Sequence, residues 1–499
     1  MPVTASAVAR VVGIDTHFKN LRGSQALSLP QQIGILAQGN TASAGYSLLP
    51  RQITSASEAA AVYGFGSPIH LAALELFPTT GGGVGSIPVW VFPLNDDGAG
   101  AASVGTITPA GAAPAAATFY ARVSGILSAP IAVTASMTVA NQVAAFVAAI
   151  NAILQMPALA TNTGPGTACT LTAKWKGATG NEIKVEILDA NLNPALGSLY
   201  TVVNPAAGAT DPSVTSALAG IGGQWITLLV NSFHGTNTTV LDAIQLRGEA
   251  RWDQQVRRPF VAICGNDEAV LATATGTTAT RKTDRVNAQV VSPGSVHLPV
   301  QIAAAQVREI AKVADADPAS GYGARPVTTL IPGADSVQWD YPTRDAAVKA
   351  GCSTIEIKNG KVNLADIVTM YHPDGEIPPA YRYVADIMKI MTVLYNVDLE
   401  FGQPEWASAP LIPDGQPTVN PNARKPSSAI AAANRIIDGL GLAAVISDPA
   451  TAKKATVASI DSQNPKRLNL TITVQLSGNI EVFSIDLNFG FFFGAAAAA

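Results

Sequence analysis

Charge is scarce in this chain of 499 residues: Asp, Glu, Lys and Arg together make up 13 %. That is about half the share found in an ordinary soluble domain. The two signs nearly cancel, with 31 Lys and Arg against 35 Asp and Glu, for a formal net charge of −4. No basic excess is available to neutralise a phosphate backbone, which argues against direct nucleic-acid binding. Cysteine is scarcer still. Cys169, Cys264 and Cys352 are odd in number, far apart and in no C-x-x-C pair, so neither a disulfide framework nor a local zinc site is expected. Each lies in apolar or Thr-rich sequence and reads as a buried spectator in a reducing compartment. Long apolar runs are missing too. Met137–Leu154 comes closest, but Asn141, Gln142 and Asn151 interrupt it, so no membrane insertion is expected. The start, Met1-Pro-Val-Thr-Ala, has no basic segment leading into an apolar core and reads as no secretory signal.

Catalytic constellations are the next absence. Gly81-Gly-Gly-Val-Gly85 is the densest glycine run, but no Lys follows and the chain continues into a strand, so it reads as a turn, not a phosphate loop. His17, His70, His234, His297 and His372 form no H-x-x-x-H and no local pair; a metal site would have to be assembled from distant residues. His372-Pro-Asp374 before Gly375 is a polar turn rather than an acid–base pair. No G-x-S-x-G elbow is present. Asp96-Asp97 falls in a linker, and the doublets Arg257-Arg258 and Lys453-Lys454 suit no more than an acidic neighbour each. The expectation is no catalytic residue, no cofactor and no metal.

What the chain has in quantity is apolar residues, 48 % of the total, with a positive mean hydropathy. A monomer of this length needs more charge on its exterior. Much of the outside is therefore either Ser, Thr, Asn and Gly or covered by other protein, which points to a subunit of an assembly.

The order along the chain is α/β. Ile33–Ala37 and Pro88–Phe92 read as strands, with helices opening at the Ser55–Glu58 capping box and at Pro68. Asp96–Ser103 and Asn204–Pro212 read as linkers that hinge an α+β module at 97–215, with strands at Thr118–Val123, Thr170–Trp175 and Ile183–Leu188 and a helix over Val139–Leu154. Beyond Trp225, apolar runs alternate with amphipathic helices. Strands are expected at Trp225–Val230, Pro259–Cys264, Asn287–Val291 and Val327–Ile331, with helices over Thr239–Gln255 and Pro299–Val313. This is the text of a parallel sheet covered on both faces. Asn359-Gly360 marks a hairpin. A helix follows Pro379 with Val384, Met388, Met391 and Tyr395 on one face; residues 402–426 read as a wrapping loop, and a short helix Ala429–Ile437 is closed by Gly439. Both ends read as β. The first 30 residues carry Val8, Val11, Val12 and Ile14 with little around them. Glu481–Phe493 alternates in part, with Val482 on one side and Phe483, Ile485, Leu487 and Phe489 on the other. Such strands are expected to complete sheets in neighbouring copies by β-augmentation.

The order of these segments resembles the contractile tail sheath proteins of Mu-like bacteriophages. The resemblance rests on Arg344-Asp-Ala-Ala-Val-Lys-Ala-Gly-Cys-Ser-Thr-Ile-Glu-Ile-Lys-Asn-Gly-Lys-Val, Ile367-Val-Thr-Met-Tyr-His372 and the Tyr381–Tyr395 helix. It extends to the terminal Val482–Gly490 and to Leu171-Thr-Ala-Lys-Trp-Lys-Gly-Ala-Thr-Gly-Asn-Glu-Ile183 in the inserted module. It implies an α/β fold, a discontinuous sheath core built from N- and C-terminal halves, with an inserted α+β domain and extended β arms. The implied divisions are an arm at 1–30, core at 31–96, an outward-facing insertion at 97–215, core at 216–345, C-terminal core at 346–480 and a second arm at 481–499. The implied role is a structural subunit, stacking as hexameric rings around an inner tail tube and contracting to drive that tube through the bacterial envelope for genome ejection. Implied partners are further copies of the chain, the tube protein, and baseplate and tail terminator proteins, in the virion and in the host cytoplasm during assembly. Arg424, Lys425 and Arg435 are candidate contacts to an acidic tube. Two other readings share parts of the pattern: a non-contractile array or capsid-associated subunit, and an α/β hydrolase-like enzyme, for which no residues are visible.

Overall fold

The computed structural model describes residues 27–163, 166–195, 197–376, 379–481 and 484–487. The chain divides between Pro410 and Leu411 into two compact units.

The first unit is organised by an eight-stranded sheet. Its order across the sheet is Lys361–Leu364, Cys352–Lys358, Asn287–Val291, Val261–Asn266, Leu228–Asn231, Ile33–Gln38, Val89–Leu94 and Arg51–Ile53. The six inner strands run parallel, and the two edge strands run antiparallel to their neighbours. Every residue of Ile33–Gln38, Leu228–Asn231, Val261–Asn266 and Asn287–Val291 is buried, as the uninterrupted apolar runs require when helices cover both faces. The helix Pro299–Ala316 lies across the sheet and against Pro68–Leu76. Its approach is close enough to dictate one residue: a Cβ at Gly265 would collide with the Pro299 carbonyl oxygen and with Ile302.

At one edge, Asn359 and Gly360 take φ of 52° and 68°, and Lys358 pairs with Lys361 across the turn. Positive φ at both central positions is the two-residue hairpin geometry that matches strand twist, and Asn-Gly is the pair that tolerates it. The helix Val384–Phe401 buries Val384, Met388 and Met391, while Tyr395 packs edge-on to Trp225 with ring centroids 6.2 Å apart.

Residues between 104 and 206 build their own antiparallel sheets. One has the order Tyr200–Ala206, Val104–Pro109, Ala168–Ala173, Ala158–Thr163; the other joins Val185–Leu188, Ala117–Val123 and Ile126–Leu127, with Ile131–Val133 also on Ala117–Val123. Helix Val139–Asn151 covers them through Val143, Phe146 and Ile150, and Tyr200 stacks edge-on to both Phe119 and Phe146 with centroids 5.1 Å apart.

Four expectations need correction. The segment from Asn204 is not all linker: Asn204–Ala206 still belongs to a strand paired with Val104–Pro109, the register shifting between Val203 and Ala206 so that Pro205 is buried. The two linkers are also not free hinges, since Ala101 and Ala209 form an antiparallel bridge. Val327–Ile331 is not a strand. The chain begins to pair along the outer edge of Lys361–Leu364, with Val327 N donating to Val362 O at 2.8 Å, but it then turns away, and Ile331 N donates to His297 Nε2 at 2.9 Å. Gly439 does not end its helix, which runs Pro426–Leu442; the buried glycine packs inward, and Ala444, at φ 55°, makes the left-handed closure.

The second unit contains that helix, a shorter one at Pro449–Ala455, and two two-stranded ribbons, Ile446–Ser447 with Gln475–Leu476 and Val457–Ile460 with Leu468–Thr471. Asp448 caps the short helix by accepting from Thr451 N at 3.1 Å.

Candidate assembly surface

In the second unit the loop ahead of helix Pro426–Leu442 folds back on itself. Leu411 bridges to Arg424, and Ile412 N donates to Arg424 O at 3.0 Å. Ser427 N donates to Asp414 Oδ1 at 3.0 Å, and hydrogen bonding from Ser427 holds the Asp414 carboxyl below its ordinary range. A carboxylate there also faces the positive end of the helix dipole. Lys425 Nζ donates to the carbonyls of Asp414 and Gln416 at 3.2 and 2.7 Å, so its ammonium secures its own loop. Arg424 Nη1 donates to Pro421 O at 3.2 Å. Arg435 is exposed, nine residues into the helix by the numbering and so about 13 Å along it. The fold thus places Arg424 and Lys425 together at the helix entry and Arg435 well beyond them.

The same unit exposes much apolar surface. Val419, Leu442, Val457, Ile480, Ile485 and Leu487 are all more than half exposed, the last two at 72 % and 80 %. The two-stranded ribbon of Val457–Ile460 and Leu468–Thr471 packs against helix Pro426–Leu442, which supports a pairing that would be marginal in water by itself. Of the residues expected to augment neighbouring sheets, Ile485 and Leu487 therefore stand in solvent. Val8, Val11, Val12, Ile14, Val482, Phe483 and Phe489 lie outside the described residues.

The polar side chains offer little chemistry. His372 Nδ1 sits 2.7 Å from Met370 O, and Asp374 pairs in solvent with Lys282 at 2.6 Å, so they form no acid–base pair. The three cysteines are buried and unpaired, and burial pushes the thiols of Cys169 and Cys264 up to about 12 and that of Cys352 to about 11. Gly81, Gly82 and Gly85 all have positive φ in an open turn. Arg257 and Lys453 each meet an acidic residue, Asp398 and Asp438, at 2.8 and 2.7 Å. A cavity of about 340 Å³ among the inserted strands is walled by Phe119, Val133, Gln142 and Tyr200, and its polar pair is already joined, Tyr200 Oη to Gln142 Oε1 at 3.2 Å. Among the described residues no helix is long and apolar enough to cross a membrane. One cluster escaped the sequence reading: Glu182, His234 and Asp267 bring a ligand atom each within 4.8 Å of one another. The available signal was that His234 and Asp267 both follow the carboxyl ends of parallel strands.

No family model matches the chain. It is 24 % identical over 459 residues to the Mu-like prophage FluMu tail sheath protein of Haemophilus influenzae, covering 88 % of each. The chain resembles the Mu-like tail sheath proteins. Sheath proteins of this kind are structural components and not enzymes. Among solved structures, the sheath tail protein of Desulfitobacterium hafniense is 11 % identical with a TM-score of 0.46, covering 94 % of this chain and 98 % of its own. A sheath tail protein of Listeria innocua is 10 % identical with a TM-score of 0.48, covering 91 % and 93 %.

Proposed function

We propose that the chain is the sheath subunit of a contractile phage tail. In this reading it polymerises as stacked hexameric rings around an inner tail tube, between a baseplate and a tail terminator. Shortening of the sheath drives the tube through the bacterial envelope for genome ejection. The energy resides in the packing of the extended polymer, so no nucleotide is hydrolysed. The observation that carries the reading is the similarity to a Mu-like tail sheath protein along 88 % of both chains. The exposed apolar residues of the second unit support it, because exposed apolar surface of this kind marks association. Low charge fits as well: surfaces that slide and repack are poorly served by ion pairs that lock one register.

Within this reading, residues 97–215 face outward, residues 1–30 and 481–499 are arms that add strands to neighbouring copies, and Arg424, Lys425 and Arg435 face the tube. The subunit belongs to the virion tail and passes through the host cytoplasm during assembly. Electron microscopy of the purified full-length chain tests the proposal directly. Hollow tubes with sixfold cross-sections are the expected result. Planar lattices would instead identify a static array, and strictly monomeric protein under all assembly conditions would overturn the reading.

A further inference from the structure

Three side chains far apart in sequence converge where the inserted strands meet the parallel sheet. His234 follows strand Leu228–Asn231, Asp267 directly follows Val261–Asn266, and Glu182 ends the short 3-10 turn Ala178–Glu182. The region beyond the carboxyl ends of parallel strands is where open α/β sheets hold ligands. Here one ligand atom from each of the three residues lies within 4.8 Å of the other two.

The spacing is informative. His234 Nε2 and Asp267 Oδ1 are 3.7 Å apart. That is too long for a hydrogen bond. It is near the ~3.4 Å that separates two ligands held at about 2.1 Å on one tetrahedral ion. The other nitrogen of the ring, Nδ1, accepts from Thr236 N at 3.3 Å and lies 2.8 Å from Thr236 Oγ1. Metal binding at Nε2 would displace the proton from that nitrogen, and Nδ1–H could then donate to the Thr236 hydroxyl beside it, the outer-shell arrangement typical of ligating histidines. Asp267 commits its second oxygen, Oδ2, to Lys184 Nζ at 3.2 Å, leaving Oδ1 for the cluster. The side chains of His234 and Asp267 are only 12 % and 11 % exposed, so the site is sheltered yet reachable. Glu268 acts electrostatically on the same groups.

We propose that Glu182, His234 and Asp267 bind one Zn²⁺ ion, with water completing the coordination, and that the ion clamps the inserted strands to the sheet. An imidazole with two carboxylates suits zinc, whereas calcium and magnesium favour all-oxygen sites with more ligands. The role is structural: metal bound only by the folded joint stabilises it by mass action.

The test uses full-length protein stripped with EDTA, desalted and titrated with ZnCl2 against a competing chromophoric chelator. The expected result is one Zn²⁺ per chain and a higher Tm with zinc than in EDTA. His234→Ala and Glu182→Gln should each weaken binding by about tenfold or more and abolish the zinc-dependent Tm rise. His372→Ala, remote from the cluster in this description, should change neither. Should His234→Ala fail to fold, Glu182→Gln, which preserves side-chain shape, asks the same question. Protein that takes up no stoichiometric zinc, or variants that bind it as the parent does, would leave a plain ion-pair network and overturn the proposal.

Discussion

Ala101 and Ala209 hydrogen-bond to each other in both directions, Ala101 N to Ala209 O at 3.1 Å and Ala209 N to Ala101 O at 3.2 Å. The chain therefore enters and leaves the inserted strands through one stitched neck. Gly177 N adds a third bond to Ala101 O at 2.9 Å, and Asp211 ties the neck to the cap of helix Thr238–Arg251 by accepting from Ala178 N and Asn237 Nδ2 at 2.7 and 2.8 Å.

Because the two neck residues are paired, excision of residues 102–208 with a two-glycine closure requires no stretching. The excised protein is expected to melt cooperatively, since Gln38 keeps its bond to Asp96 Oδ1 at 2.7 Å, and to polymerise still. Electron microscopy and scanning calorimetry check both. A folded but monomeric product would make the inserted strands part of the assembly contact.

Glu75 gives a pH dependence with a definite sign. It is buried beside Arg308, whose Nη1 donates to the Glu75 carbonyl at 2.6 Å, and desolvation pushes its carboxyl up to about 7. A carboxyl raised on folding favours the native state in its protonated form. That contribution is full below pH 4.5 and is lost as pH rises through 7. Glu75→Gln should therefore stabilise the protein at pH 8, by on the order of 3 kcal/mol, and change little near pH 4.5. Urea unfolding at the two pH values measures the difference; equal effects at both would remove ionisation from the account.

Gly360→Ala should cost about 1 kcal/mol. No atom lies within 4 Å of the added Cβ, so the whole cost is the backbone conformation at φ 68°. Denaturant midpoints with an unchanged m-value would confirm a local effect, and Gly360→Asn should recover part of the loss.

The inner strands were legible because a strand buried on both faces is largely apolar, and Asn287–Val291 was readable to the residue although its buried Asn287 and Gln289 are polar and hydrogen-bonded. Val327–Ile331 failed for a reason outside itself: pairing with the outer edge of Lys361–Leu364 stops at Val327, and Ile331 N is held instead by His297 Nε2. The capping box at Ser55 was half right. Ser55 Oγ accepts from Glu58 N at 3.1 Å, but Glu58 turns its carboxylate to Thr54 N, one residue earlier. The cluster of Glu182, His234 and Asp267 was unreadable, since its members are tens of residues apart and only the joint between two sheets brings them together. Lys425 shows the opposite limit: its charge was visible, but not that loop carbonyls would consume it.

Removal of residues 1–15, or of 482–499, should leave both units folded and abolish tubes. Circular dichroism reports folding and sedimentation reports polymer. The expectation rests on the apolar alternation at these ends and on the exposure of Ile485 and Leu487. Normal tubes from either truncation would sink strand donation as the linkage between copies.

Charge reversal at the tube-facing candidates should separate their roles. Arg435→Glu should weaken co-assembly with an acidic tube while leaving sheath-only polymer intact, with each exposed pair contributing only ~0–1 kcal/mol but repeated in every copy. Lys425→Glu should instead loosen the 411–425 loop, seen as faster proteolysis there, because its ammonium holds the Asp414 and Gln416 carbonyls. Identical behaviour of the two variants would contradict this division.

The contact that forbids a side chain at Gly265 has a mechanical meaning. With the Pro299 carbonyl and Ile302 seated against the strand backbone, helix and sheet have no slack between them. Links joined in series share a load but not a deformation: the stiff ones transmit force and the compliant ones change length. Any change of shape in this part of the fold must therefore carry helix Pro299–Ala316 and strand Val261–Asn266 as one piece.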